Sequence, residues 1–268
     1  MRGVSAEGMA DSTKRLESLA ADCDAEQLGA ELFAIADLIS REASLRRAMT
    51  DPSASTAAKS GLARAVLSGK VSEPTVEVLA TAAGARWSSA SDFVHGLEQL
   101  GALALVISAE RAGELSELED ELFRFGRVVA GDPRLRDALT NQQMPLEHRQ
   151  ALVSTLLEGK ASRPAVRLAV QAVGSRGRSF ATAIEDSQEL AAERQQRLIA
   201  LVRTAIELNE QERARLGDAL SRQYGRDIHL NVVVDPTVLG GIKVELGDDV
   251  IDGTVAGRLD DARRRMAG

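Results

Sequence analysis

Over roughly the first 190 residues apolar positions recur at spacings of three and four, and from about residue 197 the pattern changes to short runs rich in branched apolar residues, two of them alternating, with a helix between the first and second. The first pattern predicts helices. From Leu146 to Glu158 the apolar positions are Leu146, Leu152, Val153, Leu156 and Leu157, and Gly159 follows as a helix-ending residue. Ser162 stands two residues before Pro164, so serine is placed to cap, and proline to open, a helix from Pro164 to Val173. Gly69, Ser72 and Pro74 repeat this arrangement earlier. Long charged helices are predicted over 88–111 and 178–196.

The changed part begins with LIALVRTAIEL, whose branched apolar residues predict a strand. Asn209 with Glu212 three residues later has the form of a capping box, opening a helix with Leu216, Ala219, Leu220 and Tyr224 on one face and Gly225 at its end. Ile228, Leu230, Val232 and Val234 then alternate with more polar neighbours, as do Ile242, Val244 and Leu246. Between these two strands Asp235-Pro236 halts the first, because proline has no N–H for a ladder. Gly240-Gly241 allows positive φ or a close backbone approach. After Asp252-Gly253, Val255, Leu259, Ala262 and Met266 share a helical face, with Arg263, Arg264 and Arg265 where cations suit a helix C-terminus. The expected C-terminal domain is therefore β-α-β-β-α.

Shifting the chain by 90 residues aligns Leu45 onward with Leu135 onward without a gap. Arg46/Arg136, Thr50/Thr140, Leu62/Leu152, Leu67/Leu157, Gly69/Gly159, Lys70/Lys160, Ser72/Ser162, Pro74/Pro164, Val76/Val166, Gly84/Gly174 and Arg86/Arg176 are identical pairs, and Glu31-Leu32-Phe33 matches Glu121-Leu122-Phe123. The helical part is a duplication. The expected fold is mainly α, with a tandem duplicated helical bundle (1–100 and 101–190) followed by a small α/β domain (191–268).

Composition narrows the function. Aromatic residues are only 3% against 44% hydrophobic, so the core rests on Ala, Leu and Val, which suits close-packed helices. A net charge of −7 argues against nucleic acid as a partner. Cys23 is the only cysteine, which rules out an intramolecular disulfide and fits a reducing compartment. No apolar run approaches the roughly 18–20 residues of a spanning helix, and the first residues lack a signal-peptide core.

The segment VDPTVLGGIKVELGDDVIDGTVAGRL closely resembles the C-terminal signature of the delta subunit of F-type ATP synthases, called OSCP in mitochondria. Asp235, Pro236, Gly240, Gly241, Asp252, Gly253 and Leu259 match the family pattern, and Thr254 stands where serine is usual. The resemblance covers about Glu114 to Gly268 directly and, through the repeat, residues 5–100. An ordinary delta subunit is shorter by about one bundle, so the chain is similar to the enlarged form associated with actinobacteria.

The resemblance implies a non-catalytic stator subunit without cofactor or metal. Such a subunit caps the catalytic head, is present as a single copy in the complex, and lies peripherally at the cytoplasmic face of the cell membrane. In the family the first and fifth bundle helices form grooves for the N-terminal helices of the alpha subunits, and the C-terminal domain binds the b subunit. With two copies, the first-helix candidates are Ala6 to Leu19 and Ala102 to Gly113, and the candidates near the fifth are Thr75 to Arg86 and Ala165 to Arg176.

Other readings of the same residues are weaker. Gly240-Gly241 is not followed by Lys-Ser or Lys-Thr, so a turn is expected there and not a phosphate loop. Asp248, Asp249 and Asp252 lack the other ligands of a cation loop and read as a solvated turn and a helix cap. His95, His148 and His229 share no motif, and Arg263 to Arg265 read as a helix-end charge run. Trp87, whose counterpart is Gly177, is expected to pack between the bundles. A free-standing helical scaffold and an enzyme built on the glycine turn are the alternative functions.

Overall fold

The computed structural model describes residues 3–141, 143–175, 177–196, 199–225, 228–235, 238, 240–246 and 249–254. The chain divides into two compact units, Met1–Ala191 and Ala192–Gly268.

The first unit is helical: α1 (Val4–Ala20), α2 (Ala25–Arg41), α3 (Ala43–Thr50), α4 (Thr56–Leu67), α5 (Glu73–Gly84), α6 (Ala90–Ala112), α7 (Leu115–Gly131), α8 (Pro133–Thr140), α9 (Leu146–Leu157), α10 (Arg163–Gly174) and α11 (Phe180–Gln196). The duplication carries through to the elements. Moving α2 to α5 forward by 90 residues gives the bounds of α7 to α10, and α6 and α11 begin at equivalent positions, Ala90 and Phe180.

The same shift carries α1 onto residues 94–110, which lie inside α6. Thus α6 closes the first copy as its sixth helix and opens the second as its first. It packs on α1, α2, α3 and α5 and also on α7 and α10. Residue 100, where the sequence divides the copies, lies in the middle of this helix.

The sequence reads residues 88–111 as a charged helix, whereas α6 supplies more buried residues than any other described helix of the unit. Phe93, Leu97, Leu100, Ala104, Leu105, Val106 and Ala109 are all 0% exposed. A helix with apolar residues all round belongs in a core, because each face needs a packing partner. Its ends have the usual devices: the Ser89 hydroxyl accepts from Asp92 N–H at 3.0 Å, and Gly113 terminates it in the left-handed region at φ 74°.

Helix α2 lies against α6 at backbone distance. A methyl group on Gly29 would stand 2.9 Å from Gly101 O and 2.9 Å from Leu105 Cγ, and one on Gly101 would meet the Phe33 ring at 2.9 Å. Small residues at the crossing let two helices approach more closely than side chains would allow.

Two expectations are corrected in the first copy. Ser72 occupies the N-cap position of α5, yet its hydroxyl makes no capping bond. Instead it donates to Glu31 Oε2 of α2 at 2.6 Å, as do Ser72 N–H at 3.1 Å and Thr75 Oγ1 at 2.5 Å. The carboxylate of a neighbouring helix therefore sits at the helix N-terminus, where the backbone dipole favours negative charge. The second copy repeats the arrangement, with Ser162 N–H and Oγ donating to Glu121 at 2.9 Å and 2.6 Å.

Trp87 packs within the first copy and not between copies. Its ring fills the space over Gly96, where a methyl group would lie 2.5 Å from Cη2, it touches the Gly8 position, and Nε1 donates to Ala82 O at 2.8 Å.

The second unit contains β1 (Ile199–Thr204), α12 (Glu210–Tyr224), β2 (His229–Val234), β3 (Ile242–Leu246) and β4 (Asp249–Asp252). The sheet order is β2-β1-β3-β4, with β1 and β2 parallel, joined through α12, and the other pairs antiparallel. The Asn209 to Glu212 capping box is present in both directions. Leu216, Leu220 and Tyr224 of α12 pack with Ala200, Val202, Val232 and Val244 on one face of the sheet; Ala219, expected with them, is exposed. The further correction is β4: Asp249 to Asp252, read as a turn, forms an exposed edge strand paired with β3. The C-terminal helix expected from Val255 lies outside the described residues.

Two predictions follow from the packing of α2. Gly29→Val must displace the Gly101 backbone and should destabilise the helical unit by about 1–3 kcal/mol, whereas Gly61→Ala, at an exposed helical site with open space, should stabilise it by about 0.5–1 kcal/mol; urea unfolding of both variants checks the pair. For Glu31, burial favours the protonated form, but hydrogen bonds from Ser72, Thr75 and Gln27 outweigh it and bring the pKa below its ordinary 4.5. A depressed folded-state pKa adds stability above that ordinary value, and this is lost as pH falls through the depressed one. Glu31→Gln should therefore lower the melting temperature at neutral pH and make its decline below pH 4.5 shallower than in the parent.

Candidate functional site

The described residues of the motif singled out in the sequence, Asp235, Gly240, Gly241, Asp252 and Gly253, lie at one end of the C-terminal sheet. β2 runs parallel to β1 and stops beside Thr204, so the chain must cross the end of β1 to reach β3 on its other side. Asp235 begins that crossing, its N–H donating to Thr204 O at 2.8 Å. Gly240 and Gly241 end it with φ of 77° and 81°, a region that side chains make costly.

The returning strand then presses against this turn. A methyl group on Gly241 would stand 2.4 Å from Gly253 O and 2.9 Å from Thr254 Cα, while Gly253 N–H donates to Ile242 O at 2.9 Å. Asp252 Oδ1 accepts from Thr254 N–H at 2.9 Å and from its hydroxyl at 2.6 Å. That hydroxyl, with the amide beside it, holds the Asp252 carboxyl below the usual carboxylate range. Gly241, Asp252, Gly253 and Thr254 thus form one backbone junction, with Asp235 at the start of the crossing. Pro236 and Leu259 lie outside the described residues.

The face of the sheet away from α12 carries charge. Arg203 of β1 lies 3.7 Å from Glu245 and 3.9 Å from Asp235, and Lys243 Nζ donates to Glu245 at 2.7 Å, lowering the carboxyl pKa of Glu245. Apolar side chains flank this cluster: Val233, paired with Arg203, is 40% exposed, and Val250, paired with Glu245, is 58% exposed. Arg203, Lys243 and Glu245 carry no motif in the sequence. Their alternation with Val202, Val244 and Leu246 marks them as the outward face, though not as an ion cluster.

In the helical unit, α1 and α5 are in tight contact. Arg15 pairs with Glu77 at 3.1 Å, and a methyl group on Gly8 would meet Arg86 O at 3.0 Å. The corresponding pair in the second copy is α6 and α10. Along α6, residues 103–107 are no more than 5% exposed, whereas Val166 and Val170 on α10 are half-buried. His95 stands 3.6 Å from Glu98 on the same helix.

Comparison with known proteins places this geometry. Residues 97–266 match the family model described as ATP synthase delta (OSCP) subunit. The chain belongs to that family. Proteins named ATP synthase subunit delta align with it end to end: that of Thermobifida fusca is 44% identical over 269 residues, covering 100% of both chains, and that of Streptomyces avermitilis is 44% identical over 268 residues, covering 99% of this chain and 98% of the relative. The Kineococcus radiotolerans protein of the same name is 47% identical over 246 residues, covering 91% and 89%.

Within the delta family frame, the match begins inside α6 and runs through the second helical copy and the sheet. The matched region therefore covers α6 to the C-terminal unit and leaves α1 to α5 outside it. The full-length relatives cover that part as well.

The junction makes a testable claim about the delta signature. Gly241→Ala combines a left-handed φ with a collision against backbone and should cost the C-terminal unit at least about 2 kcal/mol, against about 1 kcal/mol for Gly225→Ala, which has the same sign of φ and open space. Hydrogen exchange of the β1 and β3 amides ranks the two; equal protection in both variants contradicts the close approach.

Proposed function

We propose that this chain is a peripheral-stalk subunit of an F-type proton-translocating ATP synthase. In this reading the helical unit holds the N-terminal helices of the alpha subunits, the C-terminal unit holds the b subunit, and together they keep the catalytic head from turning with the rotor. The observation that carries the reading is the end-to-end match to proteins named ATP synthase subunit delta, across both helical copies and the signature sheet. The division into two compact units supports it, since a mechanical link needs two attachment surfaces.

The role is mechanical and uses no catalytic group. The subunit sits peripherally at the cytoplasmic face of the membrane, in one copy per complex. Among the described residues, no helix is long and apolar enough to cross a membrane. For the b subunit, the flanked ion cluster on the outer sheet face offers apolar anchors, Val233 and Val250, beside charges that set register.

For the alpha subunits, an arriving amphipathic helix needs apolar surface to cover. On α1 the positions Ser5, Gly8, Ser12 and Leu16 are already buried, and on α5 Val76 and Ala80, the counterparts of Val166 and Val170, are 1% and 0% exposed. On α10, Val166 and Val170 keep part of their surface free, and this copy is the one the family model covers. We therefore assign the head contact to the second copy, on the α10 wall.

Purification of the tagged chain from its host membranes in mild detergent should recover a several-hundred-kilodalton assembly with ATPase activity; recovery alone in the soluble fraction would favour the free-standing scaffold. In titrations with an alpha-subunit N-terminal peptide, Val166→Asp with Val170→Asp should weaken binding at least about tenfold, and Ala6→Asp with Ala10→Asp should leave it nearly unchanged. The reverse ranking moves the head contact to the first copy.

A further inference from the structure

The repeat shows where the two copies are meant to differ. On the outer face of the penultimate helix of each copy, two positions invert their charge: Glu73 and Glu77 on α5 correspond to Arg163 and Arg167 on α10. In the first copy Glu77 is neutralised internally, by Arg15 of α1 at 3.1 Å and Arg64 of α4 at 2.9 Å. Neither cation recurs. The counterpart of Arg15 is Leu105, buried against Gly29 in the α2–α6 crossing, and the counterpart of Arg64 is Ser154.

The arginines of the second copy reach the first copy instead. Arg167 Nε donates to Glu26 Oε1 of α2 at 2.8 Å, and Arg163 lies 3.1 Å from the same oxygen. Glu26 is itself unrepeated, since Ser116 stands at its counterpart. All three members of the cluster are therefore departures from the duplication, and together they bridge the copies. They border a cleft of about 390 Å³ whose α2 wall includes Asp24 and Glu26 and whose α10 wall is Arg163 and Arg167.

We propose that Glu26, Arg163 and Arg167 form an electrostatic clamp that fixes the two helical copies against each other about the shared helix α6. The copies are joined covalently through α6 and the left-handed turn at Gly113, and the open cleft leaves α2 and α10 room to separate or approach. Packing around α6 holds the axis; the clamp acts off the axis, where it resists relative rotation. Single exposed ion pairs contribute little, but here one carboxylate, with 19% of its side chain exposed, is shared by two guanidinium groups. The clamp is screened by salt because both arginines retain solvent contact.

The test uses the full chain with Cys23→Ser and spin labels on cysteines introduced at Ala48 of α3 and Ser154 of α9, both exposed. Double electron–electron resonance should give a narrow distance distribution for this parent. Glu26→Arg should broaden or shift it, as should Arg163→Glu with Arg167→Glu and as should molar salt on the parent. The combined charge swap, Glu26→Arg with Arg163→Glu and Arg167→Glu, should restore the parental distribution at low salt. A Glu26→Arg distribution superimposable on the parent overturns the proposal. So does failure of the combined swap to restore it, and that comparison holds even where a single variant folds poorly.

Discussion

The constraint on which the helical unit depends is the burial of the middle of α6, where nearly every position from Leu100 to Ala109 is enclosed. A helix that closes one bundle and opens the next is packed from more than one side along its middle, so that stretch must be apolar on most of its circumference and its neighbours must fit without gaps. Ala104, Leu105, Val106 and Ala109 meet the first requirement, and Gly29 and Gly101 meet the second. The duplication is therefore not two bundles on a string. Sharing one helix removes the hinge that a linker would introduce, and for a part whose proposed work is to resist rotation this difference matters more than the added mass.

Sharing a helix also forces the copies to diverge. Where neighbours are equivalent the chemistry is kept, as in Glu31 with Ser72 and Glu121 with Ser162. Where neighbours differ it changes. The Trp87 plug over Gly96 and Gly8 becomes, 90 residues later, Gly177, Asp186 and Glu98, and the site is held by the next residue, Arg178, which pairs with Asp186 and lies 3.9 Å from Glu98. Burial makes the charged form of Arg178 costly and lowers its pKa, with Glu98 opposing the shift. An apolar plug and an ion cluster thus fill the same position in two copies of one bundle, because α6 presents a different side to each.

Much of this was legible in the sequence. Local signals fixed helix bounds closely: the Ser-x-Pro openings, the capping box at Asn209 and the glycine stops all fall within two residues of the observed ends. The repeat was visible because the structure preserves it element by element. The missed features are tertiary. No local pattern marks Glu31 as the anion at the start of α5, since the two are 41 residues from Ser72 to Glu31 apart in the chain. Strand β4 escaped because Asp-Asp and Asp-Gly read as turn residues, and only pairing to β3 makes Asp249 to Asp252 extended. The role of α6 was hidden for a related reason: its charged ends suggested a solvated helix, and nothing local says that two bundles claim its middle.

The signature at the C-terminus shows why a motif can identify a family without naming a binding residue. Gly241 is required by the distance between two backbones, Gly253 sits close against Ile242 O, and Asp252 closes the turn with Thr254. These residues fix the register of β3 and β4 against the crossing over β1, and that register places Arg203, Lys243 and Glu245 on one outer face between Val233 and Val250. A face made of alternating strand positions accepts exchange of one outward side chain for another without moving the backbone. The junction that aligns those strands does not, because a single Cβ at Gly241 has nowhere to go. The described residues of the motif therefore lie where the sheet is built, at the junction that sets its register, while the charged outer face lies between them on strand positions whose side chains are free to vary in shape without moving a backbone.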